Sequence, residues 1–151
     1  MLSSAAGNDL LFDESLCQQG KNFTNKIWNA LRLVNGWEID EEKSQPMVNK
    51  LGIGWYNNKF NNSLELINKN FENYRISDVL MSSYRLVWDD FCSWLLEICK
   101  PDFGEKIDKK SRTDLIGLFE KNLKILHPFM PFLSEEIYHN LPDINNSTPL
   151  T

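Results

Sequence analysis

The sequence predicts an all-α fold, a helical bundle of about five helices. Three observations lead to this prediction. Apolar residues recur three or four positions apart over long segments, as they do on one face of a helix. No segment alternates apolar and polar residues as a half-buried strand would. With 151 residues, 42% of them hydrophobic and 25% charged, the chain can bury a sizeable core.

The first two predicted helices are long. One covers residues 13–36, where Gly36 acts as a C-terminal stop, and the other covers residues 47–74. The acid-rich residues 38–46 between them are predicted to form a solvated loop. The apolar positions of the first helix are Leu16, Phe23, Ile27, Ala30, Leu31 and Val34. Those of the second helix are Leu51, Trp55, Phe60, Leu64, Ile67 and Phe71.

A third helix is predicted to run from an N-cap at Ser77 to Cys99. Pro101 follows closely and prevents its continuation. The apolar positions of this helix are Leu80, Tyr84, Val87, Phe91, Trp94 or Leu95, and Ile98.

Two shorter helices complete the bundle. A charged connector, residues 102–110, leads to a fourth helix with Ser111 as its N-cap. Its apolar positions are Leu115, Leu118, Phe119, Leu123 and Leu126. Two prolines within residues 127–132 end this helix, and His127 is interpreted as its terminating residue. The fifth helix is predicted over residues 131–141.

Several classes of protein and of site are excluded. No stretch approaches the roughly 18 apolar residues that span a bilayer. The first residues lack the basic region of a signal peptide. The three cysteines include no CxxC pair and are predicted to be inert core thiols in a reducing compartment. The two histidines have no cysteine partners at zinc spacing, so no metal site is predicted.

No catalytic or cofactor-binding residue is predicted either. The motifs GxGxxG, GxxxxGK[ST], GxSxG and HExxH are absent from the sequence. Asp89 and Asp90 are adjacent carboxylates, but neighbouring positions of a helix point about 100° apart. The pair is therefore interpreted as solvated or ion-paired acids.

Charge is distributed unevenly along the chain. The formal net charge is −5, which argues against a protein that coats nucleic acid in general. Residues 17–37, however, contain no acid and carry a charge of +3, whereas the remaining residues carry −8. A local basic face is therefore compatible with an acidic protein.

The side of the first helix opposite its apolar positions is rich in amides. This side consists of Gln18, Asn22, Asn25, Asn29 and Arg32. Successive members lie four or three positions apart, as residues on one side of a helix do. Lys21, Lys26 and Leu33 flank this side. Asparagine is a poor helix former, so this surface gains nothing from propensity. Amides offer donors and acceptors to base edges, and cations meet phosphates, so the pattern indicates RNA contact.

Two other interpretations of this surface stay open. The whole chain is rich in asparagine, so the pattern also fits a plain solvated face. It also fits a docking face for another protein domain, in which case the chain is a helical protein-interaction scaffold. Trp28 at the edge of the surface either stacks on a base or packs against the core.

Three segments in order resemble the anticodon-binding domain of the valyl-tRNA synthetases, which are class I aminoacyl-tRNA synthetases. Residues 20–34, GKNFTNKIWNALRLV, are similar to the opening helix of that domain. Residues 88–97, WDDFCSWLLE, are similar to its third-helix signature. Residues 127–138, HPFMPFLSEEIY, resemble its closing element, which the isoleucyl and leucyl relatives share. The resemblance covers nearly the whole chain.

The resemblance implies a domain organisation. Residues 13–142 would form the helical-bundle anticodon-binding domain. Residues 1–12 would be a lead-in from a catalytic domain, and residues 143–151 a frayed tail. The class I catalytic signatures of the HIGH and KMSKS types are absent, so the chain is expected to be a fragment without catalytic residues.

The resemblance also implies a set of RNA-binding residues on the first helix. Carried over by position, Lys26, Asn29 and Arg32 match the family's motif for anticodon contacts. The further residues assigned to the same surface are Lys21, Asn22, Asn25 and Leu33. Lys21 stands where an arginine is frequent, and Leu33 where an aromatic residue is frequent. Ser93 and Tyr138 replace a frequent acid and a frequent tryptophan, and both changes are interpreted as structural.

The implied partners are the anticodon region of valine tRNA and the catalytic domain of the same parent chain, with no membrane. No cofactor is expected in this chain, whereas ATP with magnesium is expected in the parent's catalytic domain. The implied localisation is cytoplasmic.

Overall fold

Five helical rods make up the part of the chain that this computed structural model describes, residues 14–142 and 149–150. The predicted all-α bundle is confirmed. The third rod consists of α3, a π-helical segment and α4 in unbroken succession, because the residues at both junctions keep right-handed helical dihedrals. The elements are α1 Glu14–Gly36, β1 Ile39–Asp40, α2 Met47–Glu72, α3 Ile76–Arg85, the π-helical segment Leu86–Leu95, α4 Leu96–Cys99, β2 Ile107–Asp108, α5 Lys109–Leu126 and α6 Pro131–His139.

The second and third rods run antiparallel. Gly52, near the start of α2, lies against Ile98 at the end of the third rod. Further along α2, the Lys59 ammonium lies 3.7 Å from the Asp90 carboxylate. These contacts bury one side of each rod in the shared core.

The apolar positions predicted for α1 and α5 are nearly all correct. Every predicted position of α5 is buried, and so are those of α1 from Phe23 onward. Leu16 is the exception, at 39% exposed, because it lies in the first turn of α1 near the end of the bundle.

The apolar stripe predicted for α2 is partly wrong. Phe60 and Ile67 are buried, but Leu51 and Trp55 are 61% and 42% exposed, and Phe71 is also exposed. The apolar residues buried in this part of α2 are instead Ile53, two positions after Leu51, and Tyr56, one position after Trp55. Both sets have helical spacing, so periodicity could not decide which of them would face the third rod.

The third rod buries Val87 and Phe91 as predicted. Of the two alternatives Trp94 and Leu95, Leu95 is the buried one, whereas Trp94 is 62% exposed. A π-helical segment lies over these positions. Its hydrogen bonds join residues five apart, which shifts the register relative to an α-helix. The Leu96 N–H accordingly donates to the Phe91 carbonyl.

Both predicted N-caps are wrong. Helix α3 begins at Ile76, so Ser77 already lies within its first turn. Helix α5 begins at Lys109, and its N-cap is Asp108, whose carboxylate accepts the Ser111 N–H at 2.7 Å. In each case the helix extends further toward the N-terminus than the capping serine predicted.

A short parallel bridge between β1 and β2 corrects the prediction of no strands. It pairs Ile39 with Ile107 and Asp40 with Asp108. Two residues are too few to produce an alternating pattern in the sequence. The acids of residues 38–42 are mostly exposed, as predicted, and cations of the connector pair with them, such as Lys106 with Glu38 at 3.1 Å.

The predicted lead-in, residues 1–12, and Asp13 lie outside the described residues. The predicted frayed tail lies there as well, apart from residues 149–150. Leu150 is buried, and its N–H donates to the Glu135 carboxylate at 3.2 Å.

Candidate nucleic-acid interface

The polar side of α1 faces solvent. All five of its residues are exposed, and we call them the asparagine face: Gln18, Asn22, Asn25, Asn29 and Arg32. The buried residues on the opposite side, which determine this orientation, are Phe23, Ile27, Ala30, Leu31 and Val34. Within the asparagine face, the Gln18 amide donates to the Asn22 side-chain oxygen at 2.9 Å.

The seven residues predicted to bind RNA lie together on α1 but differ in exposure. The exposed ones are Lys21, Asn22, Asn25, Asn29 and Arg32. Leu33 and Lys26 are half-buried. Leu33 packs against the core, so only part of its side chain is open to a ligand.

Lys26 reaches across from α1 to the π-helical segment. Its ammonium donates to the Ser93 hydroxyl at 2.9 Å and lies 4.7 Å from the centre of the Trp88 ring. The first distance is typical of a hydrogen bond and the second of a cation–π contact. The Lys26 ammonium is therefore held in place, unlike that of a freely solvated lysine.

Trp88 is itself fixed by an aromatic stack. The Tyr84 ring lies 5.6 Å from Trp88 at an angle of 13°, and Phe23 of α1 lies 4.8 Å from Tyr84. Sequence reasoning did not connect Trp88 or Ser93 with Lys26. Lys26 and Ser93 are 67 positions apart, and the sequence between them carries no signal of their contact.

Trp28 is half-buried and packs against the core. Of the two interpretations of this residue, the structure supports packing rather than a stacking platform open to solvent.

The cations of α1 differ from most other cations of the protein. Lys21, Lys26 and Arg32 pair with no carboxylate within the described residues. Elsewhere, cations form ion pairs with carboxylates, such as Lys43 with Glu105 at 3.0 Å. Residues 17–37 contain no acid, so these three cations have no carboxylate within one turn of α1 to pair with.

The two acids of the π-helical segment behave as predicted. Asp89 is exposed, whereas Asp90 pairs with Lys59. Burial raises the pKa of Asp90, and the nearby Lys59 ammonium opposes that shift. They do not form a shared carboxylate site.

The cysteine prediction is correct for two thiols and wrong for one. Cys92 and Cys99 are buried, and burial raises the pKa of each to about 12. Cys17 is exposed, because it lies in the solvent-facing first turns of α1.

Within residues 14–142 and 149–150, no group of three or more histidine, cysteine or acidic residues is placed to hold a metal ion. No described helix has both the length and the apolar character needed to cross a membrane. An open cleft of about 690 Å³ lies beyond the end of α1 and is lined by Trp37 and by residues of the connector 102–110. Charged side chains that line it pair with each other, as Lys100 does with Glu97.

The terminating role of His127 is confirmed, because it is the C-cap of α5. Its Nδ1 lies 2.8 Å from the Ser134 hydroxyl at the start of α6, so the residue also joins the last two helices.

Three curated proteins similar to this chain are named valine–tRNA ligase. The protein of Christiangramia forsetii is 55% identical over 143 residues, 95% of this chain. That of Porphyromonas gingivalis is 47% identical over 93% of the chain, and that of Thermotoga maritima is 34% identical over 92%. The chain spans only 16% of the length of each of these relatives.

The family model described as the anticodon-binding domain of tRNA ligase matches residues 54–150. The match begins within α2, so it contains the third rod with Trp88 and Ser93 but not α1. The alignments with the ligases cover more than nine-tenths of the chain. They therefore include α1, which the family model does not match. The chain folds as a helical bundle, and the family model matches most of its length. The chain therefore belongs to the family of anticodon-binding domains of tRNA ligases.

Proposed function

We propose that this chain recognises the anticodon region of valine tRNA as a module of a valine–tRNA ligase. The asparagine face is the observation that carries the proposal. It offers amide donors and acceptors beside three cations that, in the described part of the chain, pair with no carboxylate. Such groups suit base edges and phosphates. The names of the relatives indicate that valine is the amino acid joined to this tRNA.

The residues of this surface take different roles. Asn29 and Arg32 contact base edges, because an amide and a guanidinium can each make two directional hydrogen bonds. Lys21 and Lys26 hold phosphates as point charges. The remaining contributors are Asn22, Asn25 and Leu33.

In the parent ligase, a catalytic domain of the same chain would carry out aminoacylation, with ATP and magnesium supplying the activation chemistry. This chain would contribute binding and orientation of the tRNA, so that its acceptor end reaches that domain. We place this activity in the cytoplasm, where tRNA is charged for translation.

The proposal is tested by titrating the 151-residue chain with a valine anticodon stem-loop at low salt. Three cations on single-stranded RNA predict a slope of log affinity against log salt of roughly −2. Lys26→Ala combined with Arg32→Ala should weaken binding by at least about tenfold and reduce the steepness of this slope.

A matched control removes the same charge from α2. Lys50 and Lys69 are both exposed there, and Lys50→Ala with Lys69→Ala should leave the affinity nearly unchanged. Equal binding to a loop with an altered anticodon would contradict specific recognition. A protein partner that occupies the asparagine face without competition from RNA would favour the scaffold interpretation instead.

A further inference from the structure

We propose that an exposed apolar patch on α2 and the third rod docks against another domain of the ligase chain, one that lies outside these 151 residues. The patch consists of Met47, Val48, Leu51, Trp55 and Trp94, which are between 42% and 67% exposed. The inference rests on the proposed function in one respect, namely that the chain is a module of a larger ligase. It concerns a different surface from the asparagine face.

The ion pair between the two rods places the tryptophans beside each other. The Lys59 ammonium of α2 lies 3.7 Å from the Asp90 carboxylate of the third rod. Trp55 lies four residues before Lys59, about one helical turn. Trp94 lies four residues after Asp90, again about one turn. Because the rods run antiparallel, both turns lead toward the same end of the bundle, and the two exposed tryptophans flank one stretch of the boundary between the rods.

The aliphatic members extend this surface to the start of α2. Leu51 lies one turn before Trp55, and Met47 lies one turn before Leu51. Val48, next to Met47, lines a cleft with Ile98 at the end of the third rod. The five side chains therefore form one surface along the outer side of the boundary between α2 and the third rod.

The composition of the patch suits a protein partner. None of its five members is charged, and the same side of α2 becomes polar beyond it, at the exposed Asn58 and Asn62. Tryptophan and methionine are enriched at protein interfaces, whereas charges are depleted at the centres of such interfaces. An aliphatic side chain offers RNA neither a hydrogen bond nor a charge. Exposed apolar residues that lie together, rather than singly, mark interaction sites.

The edge of the patch defines the charge of its partner. Residues 43–64 contain no acid, and Lys50, which is exposed, lies beside Leu51. Lys50 pairs with no carboxylate within the described residues. A carboxylate next to the apolar area of the partner would complement this edge. The occupant is therefore an apolar face bordered by an acid.

The size of the patch favours a domain of the same chain over a second copy. The patch exposes on the order of 500 Å², so an interface built on it would bury on the order of 1,000 Å² in total. Free proteins that associate stably bury about 1,600 Å², whereas domains that one chain holds together bury roughly 600–1,500 Å². The relatives contain ample chain for such a domain, since this chain spans only 16% of their length.

The test is hydroxyl-radical labelling read by mass spectrometry, with no RNA present. It compares the 151-residue chain with the complete ligase that contains it. Methionine and tryptophan react readily with this radical, so Met47, Trp55 and Trp94 report directly on the patch. We expect their labelling to fall several-fold in the complete ligase, relative to that of Met81, which is 41% exposed on α3 and lies outside the patch.

A pair of variants connects the protection with the patch. Leu51→Asp places a charge at its centre and should restore labelling of Trp55 and Trp94 in the complete ligase, because burying an unpaired carboxylate against an apolar face is costly. Asn58→Asp introduces the same charge on the same side of α2, outside the patch, and should leave the protection intact. Thermal unfolding of the isolated chain checks that both variants fold. Protection that persists in Leu51→Asp would contradict docking through this surface.

Three outcomes with the unaltered chain would overturn the inference. The first is equal labelling of the patch in the isolated chain and in the complete ligase. The second is protection that requires valine tRNA, since RNA would then be the occupant. The third is protection of the isolated chain that rises with its concentration, since a second copy would then be the occupant. Failure of the proposed anticodon recognition would instead be seen in the stem-loop titration, which the labelling does not use.

Discussion

Asp108 shows how one side chain can organise several parts of the protein. It is 1% exposed, yet its carboxylate caps α5 through the Ser111 N–H at 2.7 Å. The Asn49 amide of α2 lies 3.5 Å from the same carboxylate and donates to the Ser111 hydroxyl at 3.1 Å. A carboxylate buried this deeply needs such donors in place of water.

At this position, Asp108→Ala should reduce the free energy of unfolding by about 2 kcal/mol, since it removes an N-cap and leaves buried donors unsatisfied. Urea denaturation measures the change. Asp108→Asn is the matched control, because asparagine caps helices about as well as aspartate and should lose less. An alanine variant as stable as the parent would refute the role of the cap.

Helix α2 shows how close approach determines which side of a helix is buried. A Cβ atom built on Gly52 would lie 2.9 Å from the Ile98 side-chain methyl, whereas one on Gly54 would meet nothing within 4 Å. Only a residue without a side chain at position 52 lets α2 approach the third rod so closely. This approach brings Ile53 and Tyr56 into the core and leaves Leu51 at the surface.

The two glycines of α2 form a natural pair for a test. Gly54→Ala should stabilise the protein by up to about 1 kcal/mol, because alanine is the better helix former. Gly52→Ala gains the same propensity but must displace Ile98, whose β-branched side chain is stiff, so its net effect should be destabilising by about 1 kcal/mol. Thermal unfolding of both variants checks the signs, and a stabilising effect at both positions would contradict the close approach.

At the scale of the whole molecule, one buried cluster draws on all five helical rods, so the buried ionisable groups report on global folding. Burial raises the pKa of Cys92 and Cys99 to about 12 from 9.0. It also raises the pKa of Tyr56, whose hydroxyl donates to the Asn122 side-chain oxygen at 2.8 Å. All three groups are held neutral in the folded protein.

Stability should therefore fall at alkaline pH. Above pH 9, the unfolded chain loses thiol protons that the folded protein retains, so the slope of unfolding free energy against pH is negative. The contribution of the buried thiols is fully present below about pH 9 and is lost as pH rises toward 12. By pH 10 the loss should reach about 1 kcal/mol for each thiol, measured by urea denaturation at pH 8 and pH 10.

An independent measurement checks the same burial. At pH 8 a thiol reagent should modify only the exposed Cys17 in the native protein and all three cysteines in denaturant. Equal stability at pH 8 and pH 10, or rapid labelling of Cys92, would contradict the burial.

Much of the candidate site could be predicted from α1 alone. A helix presents residues three and four positions apart on one side, so burial of Phe23, Ile27 and Leu31 determines that Asn25 and Asn29 face outward. The buried side of α5 could be predicted in the same way, because α5 has no second row of apolar residues at helical spacing. These are local consequences of helical geometry.

The helices, the acid-free surface of α1 and the resemblance to a tRNA-binding family could all be predicted from residues close together in the chain. The buried side of α2, the cap of α5 and the contacts of Lys26 could not. Those outcomes depend on pairs such as Lys26 and Ser93, 67 positions apart, which only packing brings together. Periodicity describes one helix at a time and contains no information about the neighbour that completes the contact.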